Sequence, residues 1–353
     1  MIWLNKFQNL SSCTAFLAGK NATVDGSTMI ARNEDAGGGV NAKRFVVVNP
    51  QDQPSEYIST FNQFRVKLPD HPLRYTATPN ADISDGIWGE SGINTDNVAM
   101  SSTETEFTNT TMLGLDPLVA DGIGEEAMLT CVLPYSHSAR EGVKRLGELV
   151  TNFGTCESNG IAFSDSEKVW YFETVGGHHW AAERIPDDSY AVAPNQTGIQ
   201  EIDFNDAEHF MYSDDLKEFA ESHHLNKARK GFNFRDIFGE DVQADHYYNT
   251  PRVWYGQKMF NPEIEQDPES RTMPFTRVAD HLISVEDVAL FLSSHYQGTE
   301  FDPYGQTGTE ESRQRYRPIG MNRNQEMHIL QIRPNFPAEH AAIHWLAEGV
   351  NEF

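Results

Sequence analysis

Apolar positions in this chain fall in short runs separated by polar turns. Residues 13–19 (CTAFLAG) and 27–31 (STMIA) are apolar and partly β-branched, with Asn21, Asp25 and Gly26 between them, which predicts two antiparallel strands joined by a turn. Gly37-Gly38-Gly39 follows as a loop with two readings, a place where backbone approaches a ligand or a plain hinge. Residues 44–48 (RFVVV) predict a strand closed by Asn49-Pro50. Residues 50–85 are polar and carry Pro50, Pro54, Pro69, Pro72 and Pro79, which suits short strands in a meander. Trp88 to Asn94 reads as a turn, and Asn97 to Ser101 as the strand after it.

The period then changes. Residues 124–132 (GEEAMLTCV) predict a helix ended by Pro134. Residues 139–152 predict another: Ser138 and Glu141 form a capping-box signature, and Val143, Leu146, Val150 and Phe153 recur at helical spacing. From 159 to 193 the pattern returns to strands (NGIAFSD, KVWYFETV, HHWAAERI, SYAVAP) with Asn195 just beyond the last. Residues 206–240 mix helix and loop. Thr250 as cap with Pro251 at the first helical position predicts a helix start, and Ser284 caps a further helix over 285–296. Residues 327–333 (MHILQIR) alternate as a strand, and residues 338–349 read as helical. No repeat, linker or low-complexity tract interrupts residues 13–353, so the expectation is one domain of the α+β class.

Composition narrows the function classes. With 353 residues, 39% of them apolar, the chain can bury a sizeable core. Its formal charge of -25 is spread along the sequence, a solvated surface that repels phosphate backbones, so nucleic acid is not an expected partner. No apolar run approaches the roughly 18 residues of a membrane span, and residues 1–12 (MIWLNKFQNLSS) make a poor secretory signal because Asn5, Lys6, Gln8 and Asn9 break the apolar part. Three cysteines, Cys13, Cys131 and Cys156, form no disulfide framework, which points to a reducing cytoplasm. Cys131 and Cys156 lie on or just after predicted helices and read as small buried hydrophobes. The histidines, His178-His179 and His223-His224 among them, show no metal-ligand spacing, and neighbours in a strand point to opposite faces. No metal or cofactor is expected.

Cys13 is the residue with chemistry to offer. A cysteine attacks as its thiolate and needs a base and a nearby cation. No partner histidine is apparent. If the twelve preceding residues are lost, however, the cysteine's own α-amine becomes available, with a pKa of about 7.7–8 that suits a general base at neutral pH. Arg32, at the end of the neighbouring strand, would favour the thiolate, and Asp35 would orient the amine or thiol; a simple ion pair between the two is the lesser alternative. Asparagines at strand ends can donate to a developing oxyanion. Composition does not select among them.

Four segments together do select. CTAFLAGKNATVDGSTMIARNED (13–35), GINTDNVAMSSTET (92–105), FETVGGHHWAAERIPDDSYAVAPNQ (172–196) and YYNTPRVW (247–254) resemble, in order and over essentially the whole chain, the bacterial cysteine dipeptidases of the dipeptidase A type. These are N-terminal-nucleophile (Ntn) hydrolases related to choloylglycine hydrolases and penicillin V acylase. The resemblance implies that Cys13 is the nucleophile, exposed by cleavage of the Ser12–Cys13 bond. It implies an R-N-x-D signature at Arg32, Asn33 and Asp35, and oxyanion donors at Asn94 and Asn195. Arg252 would be the arginine that braces the site. Asn97 stands where the class has glycine after Asn94, a mild departure because asparagine tolerates positive φ.

The implied fold is a four-layer α/β/β/α sandwich with two stacked antiparallel sheets. The implied function is metal-independent hydrolysis of dipeptides. The alternatives are hydrolysis of another amide (bile-salt or penicillin type) and a non-processed, non-catalytic family member. Members of the class run longer at the C-terminus, so the chain reads as lacking its last part, and residues 1–12 as a propeptide or a mis-assigned start. Homo-oligomers are common in the class; otherwise the expected partner is a small peptide.

Overall fold

Cys13 stands one residue before strand β1 (Thr14–Ala18), which pairs antiparallel with strand β2 (Thr28–Asp35), Ala15 opposite Arg32. The structure, a computed structural model, describes residues 13–36, 41–104 and 108–351; the expected propeptide and the Gly37–Gly39 loop lie outside them. The hairpin is longer than its apolar part because β2 continues through Arg32-Asn33-Glu34-Asp35, polar and charged residues that are buried there.

This hairpin is the centre of a six-stranded sheet. From edge to edge the order is Thr276–Val278, Ser189–Ala193, β1, β2, Asn324–Ile332 and Ala342–Glu348. A second six-stranded sheet runs Phe210–Tyr212, His179–Ile185, Val169–Val175, Asn159–Ser164, Ala99–Glu104 and Ser91–Ile93. Neighbours in both are antiparallel.

Strand alternation sorts the side chains into layers. Ala15, Leu17 and Ile30 meet Ala162, Val169 and Tyr171 of the second sheet in one apolar layer between the sheets. Phe16, Met29 and Ala31 face the other way, against Trp254 of helix Thr250–Phe260 and Phe291 of helix Val285–Leu292. On the far side, Phe163, Trp170 and Phe172 pack against Leu146 and Val150 of helix Ala139–Phe153. Helix, sheet, sheet, helix: the four-layer α/β/β/α arrangement is present, as expected.

Several local expectations need correction. Residues 338–349 are not one helix: a single turn, Ala338–Ala341, gives way to strand Ala342–Glu348, which pairs with Asn324–Ile332 from Ile332↔Ala342 to Glu326↔Glu348. Alanine and glutamate favour helix locally, but the open ladder of the neighbouring strand overrides that preference. Thr250 is the first helical residue rather than the cap; Asn249 holds the cap position, and its side-chain oxygen is taken by Arg252. Ser138 caps its helix as expected, accepting from Glu141 N–H, but the Glu141 carboxylate reaches His137 N–H rather than closing the box on Ser138. A closed box forms instead at Ser284 and Asp287. Among the described residues, no helix is long and apolar enough to cross a membrane.

Candidate active site

The Cys13 side chain points into the layer between the sheets, where its Sγ lies 3.1 Å from Arg32 Nη1. The Thr103 side chain and the Asp35 backbone also hydrogen-bond the sulfur. Burial pushes the thiol up, and Arg32 opposes that rise without cancelling it, so with Ser12 still attached the sulfur holds its proton.

Arg32 is itself buried and clamped by two carboxylates. Nη2 lies 2.5 Å from Glu90 Oε2 and Nη1 lies 3.2 Å from Glu125 Oε1. Behind them Lys43 Nζ donates to Glu34 Oε1 at 2.9 Å and sits 3.6 Å from Glu90 Oε1. The neighbouring strand adds Glu326 opposite Glu34 and His328 opposite Arg32. His328 bridges Glu326 and the Ser101 hydroxyl, each at 2.8 Å.

Charge divides unevenly in this cluster. Burial works against ionising Glu90, but Lys43 and Arg32 outweigh it and hold the carboxyl at about 2. Burial and the Glu90 charge push Glu34 up to about 8 and Glu125 well above the usual glutamate range. Burial also pushes Glu326 to about 8 and, with Arg32 beside it, drives His328 well below the ordinary histidine value. Glu90 is therefore the standing counter-charge of both cations.

The backbone of Cys13 is held from the opposite face of the sheet. Arg252 Nη1 donates to the Cys13 carbonyl at 2.5 Å and to Thr14 Oγ1 at 2.8 Å; Nη2 donates to Asn195 Oδ1 at 2.9 Å. Burial, reinforced by Arg317, lowers the Arg252 guanidinium, which still stays charged at neutral pH. Asn195 follows strand Ser189–Ala193, and the β1 register of Ala15 with Ala193 carries it opposite Cys13. Asp35, odd-numbered like Asn33, faces this outer side rather than the sulfur. Its Oδ2 pairs with Arg317, and its Oδ1 is buried with no partner among the described residues.

Five of the six expected residues thus converge: Cys13, Arg32, Asp35, Asn195 and Arg252. Asn94 does not join them. Its side chain donates to Leu133 O at 2.9 Å and Ser136 O at 2.7 Å, and accepts from Asp96 and Val98 N–H, so all of its capacity goes into fixing a turn. Asn97 occupies the positive-φ position of that turn, at φ 57°. Thr103 lies in the same quoted segment and meets the sulfur instead. Glu90, Glu125 and Arg317 carried no signal in sequence: each is a charge whose partner is far along the chain. The histidine argument also needs amending. His178 precedes its strand, so both His178 and His179 reach one carboxylate, Asp116, at 2.8 and 2.7 Å.

Comparison with known proteins shows the family. The sequence model of peptidase family C69 matches residues 12–353. A probable dipeptidase B of Lactococcus lactis subsp. lactis (strain IL1403) is 52% identical, the match covering 97% of this chain and 73% of the relative. A dipeptidase of Bifidobacterium longum (strain NCC 2705) is 51% identical over 97% of this chain and 69% of its own. Among solved structures, penicillin V acylase from Agrobacterium tumefaciens superposes with a TM-score of 0.38 at 13% identity, covering 95% of this chain and 86% of that one, too loose a correspondence to argue from.

Proposed function

The chain belongs to peptidase family C69, and from that premise we propose that it hydrolyses dipeptides with Cys13 as an N-terminal nucleophile, after loss of residues 1–12. The observation that carries the reading is the clamping of Cys13 from two sides: Arg32 lies on its sulfur, while Arg252 ties its carbonyl to Asn195.

Cleavage of the Ser12–Cys13 bond turns an amide into a free α-amine, which takes the thiol proton. The thiolate attacks the scissile carbonyl carbon, and Arg32 offsets the sulfur's charge before attack. Asn195, oriented through its oxygen by Arg252, donates to the oxyanion. The tetrahedral species collapses, the C–N bond breaks, and the α-ammonium gives its proton to the leaving amine. Water then attacks the thioester with the amine as base and releases the thiol. Asp35, ionically held by Arg317, balances the α-ammonium. This reading asks nothing of a metal.

The test is a panel of dipeptides assayed with purified, processed protein, with and without a chelator, beside Cys13→Ala. The reading predicts chelator-resistant turnover that vanishes with the thiol. Substantial activity in Cys13→Ala, or its removal by the chelator, overturns it.

A further inference from the structure

A dipeptide's scissile carbon is two bonds from its α-nitrogen. With N–Cα about 1.46 Å and Cα–C about 1.52 Å, the α-ammonium stands about 2.5 Å from the carbon under attack. Whatever receives that cation must therefore lie beside the nucleophile. Glu125 Oε1 meets this requirement: it contacts Arg32 Nη1, the same nitrogen that contacts Cys13 Sγ, at 3.2 and 3.1 Å. Carboxyl and thiol are linked by two hydrogen bonds through one shared atom.

Resting on the dipeptidase reading, we propose that Glu125, backed by Glu90, is the subsite for the substrate's α-ammonium and makes the enzyme select peptides with a free N-terminus. Two buried cations, Arg32 and Lys43, face four buried carboxyls, Glu34, Glu90, Glu125 and Glu326. Glu34 Oε2 and Glu326 Oε2 are buried without a hydrogen-bond partner among the described residues. Glu90 is the ionised one of the four, so a further cation is accommodated by a proton leaving one of the others, and the substrate brings that cation.

The backbone of Glu125 is also fixed for the task. It opens helix Glu125–Val132, and its N–H donates to Glu157 Oε1 at 2.6 Å. At rest the Glu125 carboxyl keeps its proton beside ionised Glu90; an arriving ammonium displaces that proton to solvent and the carboxylate takes the ion pair.

The experiment compares each dipeptide with its N-acetylated form on wild type, Glu125→Gln and Glu125→Asp. Wild type is expected to favour the free amine strongly. Glu125→Gln is expected to shrink that preference by at least about tenfold, mainly through KM, the loss expected for removing one member of a buried charge pair. Glu125→Asp restores part of it. Damage to Arg32 geometry alone would lower both rates together and leave the ratio, and that outcome overturns the subsite. If Glu125→Gln does not fold, the wild-type ratio decides, and indifference to acetylation overturns the subsite while leaving the dipeptidase intact. A wild type that cleaves neither form removes the function reading itself.

Discussion

Two asparagines that look alike in sequence have different duties at the scale of single residues. Asn195 is tied to Arg252 across from Cys13, whereas Asn94 spends its amide on the carbonyls of Leu133 and Ser136. Removing one oxyanion donor lowers kcat by about 10²–10³, so Asn195→Ala is expected to lose activity at that scale with little change in melting temperature. Asn94→Ala is expected to do the reverse. It leaves buried carbonyls unsatisfied at a cost of about 1–3 kcal/mol each, so the melting temperature falls while kcat per folded molecule holds. Steady-state kinetics beside thermal melts on both variants check this. Arg252→Lys is expected to be costly too, because an ammonium cannot reach Cys13 O, Thr14 Oγ1 and Asn195 Oδ1 together as the planar fork does. Cys13, Arg32, Asn195 and Arg252 were legible because ordered sequence segments pointed to them. Thr103, Glu90, Glu125 and Arg317 were not, because nothing local announces a buried polar partner. Arg32 finds Glu90 and Glu125 at 58 and 93 residues' separation, and Arg317 finds Asp35 at 282.

Pairing of strand Asn324–Ile332 with β2 decides the electrostatics at the scale of elements, since it sets Glu326 opposite Glu34 and His328 opposite Arg32. Both carboxyls hold a proton more tightly in the folded chain, at about 8, than an unfolded glutamate at about 4.3. Their stabilisation is complete below the unfolded value and is lost as the pH climbs through about 8. Glu90 and Asp116, both held at about 2, act only in more acidic solution. His328, held below its unfolded value of about 6.5, acts in the opposite sense up to that pH, so the decline is expected most clearly between about pH 6.5 and 8, by at most about 1.4 kcal/mol per pH unit for each carboxyl. Glu326→Gln is expected to flatten that slope, and melts across the range show whether it does. The strand itself was readable from the alternation of MHILQIR. Its edge partner was not, because Ala342–Glu348 has helical composition and becomes a strand only by finding an unpaired ladder. The Cys13 hairpin was the easier case: both strands and their turn lie within one short stretch.

Two sheets share one apolar layer at the scale of the whole molecule, and that layer turns charged at one end, where Cys13 sits. The surrounding chain carries -25, so its field disfavours acidic substrates at a distance. Dipeptides with acidic side chains are expected to show a lower kcat/KM than neutral ones at low ionic strength, with the gap narrowing as salt screens the field over about 8–10 Å. A salt titration of both substrates measures it. The central claim remains that Cys13 acts as the first residue of the working enzyme. The N-terminal residue of purified protein with dipeptidase activity tests it directly. The account predicts cysteine, with Ser12 and everything before it gone. Full activity in molecules whose Ser12–Cys13 bond is intact would contradict it.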